Sequence, residues 1–327
     1  MIRAWPKFYF ILLSGLLALG FSTSVRAVIF YSTGDPDYNT TAPGGVLSNS
    51  GWQLVGDWIG FQGAPIGPHH FIAARHIGGS VGDTFVFNSV SYATTAVFDD
   101  AASDLRIWEV SGTFPAWASL YRLSNEVGRP LVVYGRGLTR GAEVRVGGVL
   151  KGWQWGAGDG RLRWGKNAVS SVVNGGSYWG QLLYATFDAA GGNDEAHLAV
   201  GDSSGPVFIH DGAEWALAGV AAAVDAYFNT TNSGSGFNAA IFDARGLYYS
   251  SDPANVPWQL LSGATPIPSG FYATRISARL GWIDSVVPPG VDAPLFDSIG
   301  CGVFALSLFG IGIFFLKQRR PLRRVTG

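Results

Sequence analysis

Cysteine, methionine and charge are all scarce in this chain of 327 residues. The sequence has one Cys and one Met, and 14% of its residues are charged. A single cysteine excludes an intramolecular disulfide and a multi-cysteine zinc or iron–sulfur site within one chain. With 22 basic and 23 acidic residues and no like-charge block in its body, the chain also lacks the charge pattern of a nucleic-acid-binding protein or a disordered tail.

A sustained helical pattern is missing as well, whereas glycine and aromatic residues are frequent. The sequence contains 46 Gly, and 14% of its residues are aromatic. Between residues 28 and 285, short runs of β-branched and aromatic residues, such as Leu105–Val110 and Trp215–Val220, alternate with clusters of Gly, Asn, Asp and Pro. Such runs, separated by turn residues, are typical of an all-β sandwich or barrel.

The N-terminal end has the layout of a signal peptide. Residues 1–27 contain basic residues and no acidic one, and the segment 8–21 is almost entirely apolar. The small residues before the cut favour cleavage after Ala27. The alternative for this segment is a retained membrane anchor.

The C-terminal end has the layout of a membrane span. The apolar run 299–316 is followed by the basic segment 317–327, which we expect to remain cytoplasmic. The proline-rich segment 286–298 is then a linker, and the body 28–285 faces outward. The alternative for 299–316 is a buried core helix.

The C-terminal tail also resembles a known class of sorting signal. The sequence Val-Pro-Pro-Gly at 287–290, followed by the apolar segment and terminal arginines, is similar to the PEP-CTERM or VPDSG-type tails of bacterial envelope proteins. The resemblance implies an exported protein of the bacterial cell envelope, tethered through its C-terminal helix. It also implies an exosortase-type processing enzyme as a partner.

Three short motifs in the body carry candidate chemistry. Residues 201–206 read Gly-Asp-Ser-Ser-Gly-Pro and place Ser203 in a glycine-flanked turn, His76 follows the apolar strand 71–74, and Asp104 opens an alternating strand. A serine hydroxyl is a weak nucleophile unless a histidine takes its proton, and that histidine needs a carboxylate to orient it. Taken alone, 201–206 also fits an ordinary hairpin turn.

Together these motifs resemble the trypsin/chymotrypsin-like serine proteases. Residues 201–206 are similar to the family's Gly-Asp-Ser-Gly-Gly-Pro, 73–76 to its Thr-Ala-Ala-His, and 104–107 to its Asp-Ile-Ala-Leu. The resemblance implies an all-β fold of two six-stranded antiparallel β-barrels in residues 28–285. It also implies a serine endopeptidase that cleaves protein or peptide substrates through an acyl-enzyme.

The resemblance assigns a role to each matching residue. Ser203 is expected to be the nucleophile, His76 the general base and then acid, and Asp104 the orienting carboxylate. The backbone amides of Gly201 and Ser203 are expected to form the oxyanion hole. Asp202 resembles the aspartate that pairs with an N-terminal amine in this family, and cleavage before Val28 is a hypothesis for the source of such an amine.

The substrate pocket is expected to involve His197, Ala222 and Ala223. His197 lies where a trypsin-like enzyme would hold an aspartate for Arg or Lys substrates, so we do not expect trypsin-like specificity. The pair His69 and His70 lies near His76 without helical spacing or a carboxylate partner, and we predict no metal and no cofactor.

Two departures from the family pattern leave other functions open. Arg75 stands where the family has alanine, and Ser204 replaces the glycine after the nucleophile. A catalytically inactive pseudoprotease, acting as an envelope binding or adhesion module, is therefore the alternative to an enzyme. A glycan-binding surface protein is a third class, and it predicts exposed tryptophans and no cleft at His76.

Overall fold

The structure, a computed structural model, describes residues 28–225, 227–250 and 257–288. In this part of the chain strands dominate, and the α-helices are α1 (Gly176–Trp179) and α2 (Leu280–Val286). The predicted all-β class is therefore confirmed. No helix within these ranges is long and apolar enough to cross a membrane, and the predicted signal peptide at 1–27 and span at 299–316 lie outside them.

The first half of the body forms a closed barrel of six antiparallel strands, β2 to β7, in the order β2-β3-β4-β7-β6-β5. The elements of this half are β1 (Ile29–Phe30), β2 (Gly56–Trp58), β3 (Phe61–Gly67), β4 (His70–Ala74), β5 (Thr84–Phe87), β6 (Val90–Asp99) and β7 (Leu105–Val110). β1 lies outside the barrel and pairs with a strand of the second half.

Aromatic side chains fill this first barrel. The rings of Phe71 and Phe85 stack with centroids 3.9 Å apart, and those of Trp58 and Trp108 lie 4.7 Å apart. All four side chains are buried, and on β5 the alternate residues Thr84 and Val86 are exposed. Gly56 leaves the space for one of these rings, because a Cβ there would come within 2.1 Å of Phe85. The packed aromatic interior holds β4 and β7 rigidly beside each other.

The second half contains the remaining strands, which form one large sheet and two small ones, except for β14, which pairs with β1. They are β8 (Pro130–Gly135), β9 (Arg140–Val146), β10 (Val149–Trp155), β11 (Arg163–Ala168), β12 (Ser171–Asn174), β13 (Gln181–Thr186), β14 (Ala196–His197), β15 (Pro206–His210), β16 (Trp215–Val224), β17 (Phe228–Asn229), β18 (Ala239–Ile241), β19 (Tyr248–Tyr249), β20 (Gln259–Leu260) and β21 (Gly270–Arg275).

The large sheet has the strand order β11-β8-β15-β16-β21-β13-β12, and its two edge strands are parts of one bent strand. The Val169 amide donates to the Arg129 carbonyl at 3.0 Å, which continues the β8 side. The Ser170 amide donates to the Tyr184 carbonyl at 2.8 Å, which continues the β13 side. The strand 163–174 thus bonds to both ends of the sheet, and the sheet closes around buried aliphatic side chains such as Leu131, Val133 and Val207. This sheet has seven strands where six were predicted, because the bend at Val169 and Ser170 divides the segment 163–174 into β11 and β12.

The two small sheets are additions that the sequence did not indicate. β9, β10 and β18 form a three-stranded sheet, and β17, β19 and β20 form another. Within the first, the Lys151 ammonium donates to Asp243 at 2.8 Å, and Arg245 donates to the same carboxylate. This paired cluster ties the hairpin to the segment after β18, away from the motifs discussed above.

Candidate active site

His76 lies at the end of a buried strand and is fixed by Asp104. β4 ends in the 3-10 turn Arg75–Ile77, and the Arg75 amide donates to the Asp104 carbonyl at 2.7 Å. The Asp104 carboxylate then receives two bonds from His76, one from the backbone amide at 2.9 Å and one from Nδ1 at 2.5 Å. Asp104 is fully buried. Because a carboxylate accepts from Nδ1–H, the imidazole is held with Nε2 as its unprotonated nitrogen.

The Nε2 atom of His76 is buried and has no hydrogen-bond partner among the described residues. One wall beside it is Trp179 of α1, whose ring centroid lies 5.8 Å from that of His76. The structure has no hydrogen bond between Nε2 and Ser203 Oγ. In proteins without bound substrate, hydrogen bonds of a catalytic base are often long and shorten only in the substrate complex.

The turn carrying Ser203 is shaped by its neighbours' backbone. Gly201 and Ser204 have positive φ angles of 92° and 66°. The Asp202 amide donates to the Ala199 carbonyl at 3.1 Å, and the Ser204 amide donates to the Ala221 carbonyl at 2.8 Å. The amides of Gly201 and Ser203, in contrast, form no hydrogen bond within the described ranges. Two unpaired amides in one tight turn are the donors that an oxyanion requires.

Ser204 occupies the position after Ser203, where the resemblance described above leads one to expect a glycine. Its positive φ disfavours any side chain. However, its hydroxyl accepts the Ala74 amide of β4 at 2.9 Å, a bond that a glycine could not form. This bond offsets the cost of the strained angle. It also joins the Ser203 turn directly to β4, the strand that leads to His76, so the two halves of the body meet at the candidate site.

A small cavity opens beside Ser203. Its volume is about 10 Å³, and its lining is Leu198, Ala199, Asp202, Ser203 and the four consecutive residues 221–224. A cavity of roughly 10–15 Å³ is needed to hold one water molecule. The predicted pocket residues Ala222 and Ala223 therefore line, together with Ser203, a cavity with room for about one water molecule.

His197, the third predicted pocket residue, does not line this cavity. It is fully buried, with Nδ1 bonded to the Leu198 carbonyl at 2.5 Å and Nε2 lying 3.2 Å from Ser269 Oγ. Burial lowers the pKa of His197 to about 4, so its ring is neutral at pH 7. The residue therefore brings no charge to the cavity.

Comparisons with known proteins give no family for this chain. No family model matches the sequence, and no curated protein matches it. A solved structure that resembles the fold is Rv3671c from M. tuberculosis H37Rv, in the inactive form of a serine-to-alanine mutant. The similarity covers 72% of this chain and 88% of that one, with 16% sequence identity and a TM-score of 0.38. The description of the site therefore depends on its own geometry.

Two aromatic residues of the site were not predicted from the sequence. α1 places Trp179 against His76 and Tyr178 under Arg75, whose guanidinium lies 4.7 Å from the ring centroid. Arg75 also donates to the Asp100 carbonyl at 3.0 Å. The side chain of Arg75 is thus held by these contacts on the outside of the 3-10 turn. The only sequence signal for α1 is an aromatic pair between glycines, at 175–180.

His69 and His70 lie at the beginning of β4, whereas His76 follows the end of that strand. His69 Nδ1 is 2.6 Å from the Gly112 carbonyl, and the His70 ring packs near Phe98 with centroids 6.4 Å apart. Among the residues the structure describes, no group of three or more His, Cys, Asp or Glu side chains is arranged to hold a metal ion. The chemistry available at the site is that of Ser203, His76, Asp104 and the two free amides.

Proposed function

We propose that this chain is a serine endopeptidase that cleaves peptide bonds through a Ser203, His76 and Asp104 triad. The observation that carries the proposal is the pairing of His76 with the buried Asp104. It is joined by a turn, bonded to β4 through Ser204, whose Gly201 and Ser203 amides are unpaired. A histidine with only a structural role needs neither a buried carboxylate bonded to one ring nitrogen nor a second ring nitrogen without a partner. A general base needs the carboxylate to orient its ring and the second nitrogen to take a proton.

The proposed reaction begins with attack of Ser203 Oγ on the substrate carbonyl carbon, while His76 Nε2 takes the hydroxyl proton. The carbonyl π electrons move to oxygen, and the Gly201 and Ser203 amides donate to that oxyanion. Collapse of the intermediate breaks the C–N bond, and the protonated His76 delivers its proton to the leaving amine. Water then repeats the sequence on the acyl-enzyme, which frees the acid and restores Ser203.

The test of this proposal is hydrolysis of an unfolded protein substrate by the purified full chain. We expect cleavage that stops after treatment with a fluorophosphonate, which modifies activated serines. Absence of cleavage, together with absence of fluorophosphonate labelling, would instead favour the inactive binding module. That alternative draws support from the missing bond between His76 Nε2 and Ser203 Oγ.

We expect the enzyme to prefer a small residue, Gly, Ala or Ser, immediately before the cleaved bond. The cavity beside Ser203 has a volume of about 10 Å³, and its walls include Ala222 and Ala223. His197 brings no charge to it, because the residue is neutral and buried and does not line the cavity. In peptides that differ only at this residue, kcat/KM for Ala should exceed that for Phe or Arg by about 10-fold or more. A preference for Arg or Phe would contradict this account of the pocket.

We further propose export and membrane tethering, which rest on the sequence of residues 1–27 and 299–316. An exosortase-type enzyme is the proposed processing partner of the C-terminal tail. A membrane-impermeant fluorophosphonate should label the chain on intact cells if the body faces outward. Labelling only after cell lysis would contradict this topology.

A further inference from the structure

The candidate site is almost closed to solvent in this conformation. Ser203 is 7% exposed, and the His76 side chain is 8% exposed with its Nε2 atom buried. The cavity beside Ser203 has a volume of about 10 Å³, which is enough for roughly one water molecule. A peptide that is to be cleaved has to bring its carbonyl carbon to Ser203 Oγ and its amide nitrogen near His76 Nε2. A wall of the site must therefore move before a peptide can bind.

Two walls of this site are strands that are paired on both sides. Residues 221–224, which line the cavity, belong to β16, and β16 pairs with β15 and with β21. β4, which leads to His76, pairs with β3 and with β7 around the packed aromatic interior. Moving either strand would break a ladder of backbone hydrogen bonds and unpack a core. These two walls are therefore fixed in the folded protein.

The wall formed by α1 is built differently. α1 has four residues, and Trp179 is the one buried residue of the segment 174–180. Gly176 and Gly180 have positive φ angles of 80° and 71°, and the Gly175 amide donates to the Gly180 carbonyl at 2.7 Å, which closes the base of the loop. Glycine adopts many backbone angles without steric cost, so both ends of this segment can change conformation. We call residues 174–180 the α1 lid.

Trp179 places the lid over the site. Its ring centroid lies 5.8 Å from that of His76, and the side chain packs in a buried cluster that includes Ala222 and Ala223. Because Ala222 and Ala223 also line the cavity, a single indole contacts the region of the general base and the walls of the cavity. Trp179 therefore covers the space through which a peptide would reach both.

A second contact holds the outer side of the lid. Tyr178 is 40% exposed, and the Arg75 guanidinium lies 4.7 Å from its ring centroid. Arg75 is anchored in turn by its bond to the Asp100 carbonyl at 3.0 Å. A cation over an exposed aromatic ring is a weak attraction, which can break and form again. This contact has the strength expected of a latch that opens and closes.

We propose that the α1 lid covers His76 in the resting protein and moves outward to admit a peptide, with the contact between Arg75 and Tyr178 as its latch. The movement changes the backbone angles at the glycines of the lid and breaks the bond between Gly175 and Gly180. It carries Trp179 away from His76. The inference rests on the proposed function, since it concerns access to that same site. The rate of reaction at Ser203 is then proportional to the fraction of molecules whose lid is open.

The first test removes the latch and measures the rate at which a fluorophosphonate labels Ser203 in the full chain. Tyr178→Ala should raise the second-order rate constant by about two- to fivefold, because loss of a weak cation–π contact shifts the lid toward its open form by that factor. Tyr178→Phe keeps the ring under Arg75 and should restore the rate of the unsubstituted chain. Leu123→Ala is the control for loss of an exposed apolar side chain, since Leu123 is 43% exposed and lies outside the lid.

The outcomes of this test separate the lid from the proposed function. An unchanged or lower labelling rate in folded Tyr178→Ala would overturn the lid and leave the proposed function standing, because Ser203 would still react. A fixed wall with a purely structural role predicts that result. Absence of labelling in every form would overturn the proposed function and the lid with it.

The second test follows the lid itself by amide hydrogen exchange in the full chain. The Gly175 amide is bonded across the base of the lid. After Ser203 has reacted with a peptidyl fluorophosphonate, this amide should exchange about tenfold faster or more, because the bound peptide holds the lid open. The amides of β4 serve as the internal control and should keep their rates. Equal protection of the Gly175 amide before and after the reaction would contradict the lid.

Discussion

Replacement of Ser203 by alanine is expected to lower kcat for peptide hydrolysis by about 10⁶-fold, to the residual rate that binding and the oxyanion amides provide. Ser203 is the only hydroxyl that lines the cavity beside the free Gly201 and Ser203 amides in the described part of the chain. Removal of Oγ leaves His76 without a nucleophile to activate. The measurement is kcat for a peptide with alanine before the cleaved bond.

Ser204→Ala is the matched control for this result, because it removes a hydroxyl one residue away. The Ser204 hydroxyl accepts the Ala74 amide at 2.9 Å and faces β4 instead of the cavity. Its loss costs one hydrogen bond, about 1 kcal/mol. We expect Ser204→Ala to keep hydrolysis within about tenfold of the unsubstituted chain. Equal losses in the two variants would contradict the assignment of Ser203 as the nucleophile.

Asp104→Asn should lower kcat by about 10⁴-fold while the fold is retained. The Asp104 carboxylate accepts both the His76 amide and Nδ1. An asparagine has only one oxygen to accept with, so its NH₂ would face the ring and favour the tautomer protonated on Nε2. In that tautomer Nε2 cannot take the proton of Ser203.

Asp99→Asn is the control for this second prediction. Asp99 lies in the same barrel, but it is exposed and pairs with Arg106 on the surface. Surface pairs of this kind contribute about 0–1 kcal/mol, so kcat should not change. Steady-state kinetics and the thermal midpoint of each variant are measured together. A normal kcat in folded Asp104→Asn would show that His76 does not depend on this carboxylate as a base would.

The proximity of His76 and Asp104 could be predicted from the sequence because short motifs fix local geometry. An apolar strand that runs directly into His76, and an aspartate that opens the neighbouring strand, place these two side chains together once β4 and β7 pair. The observed register aligns Ala74 with Leu105, which brings His76 and Asp104 within bonding distance. The glycine-flanked turn likewise predicted the unpaired amides of Gly201 and Ser203.

Contacts between residues that are far apart in the sequence could not be predicted in this way. Trp179 reaches His76 only because β12 and β13 return beside the first barrel, and nothing near Trp179 in sequence indicates this contact. The hydrogen bond from the Gly137 amide to Asp202 likewise joins residues that are far apart along the chain. The position of His197 in the sequence matched that of a pocket residue, but the cavity ends before reaching it.

Helix α2 was also missed, for a local reason. It spans seven residues, Leu280–Val286, and Ile283 is its one buried position. A single buried residue gives no helical periodicity to detect. The helix contributes Ile283 to the core of the first barrel and an ion pair between Asp284 and Arg122 at 2.8 Å. The expected linker from residue 286 thus begins at the last residue of a helix.

The central claim is that Ser203 is an activated nucleophile, and mass spectrometry of the fluorophosphonate-treated full chain tests it most directly. A probe that reacts only with activated serines distinguishes Ser203 from its neighbour Ser204 once the modified peptide is sequenced. We expect a single adduct on Ser203, which is lost in His76→Ala. Absence of an adduct, or an adduct on Ser204 or another residue, would contradict the account.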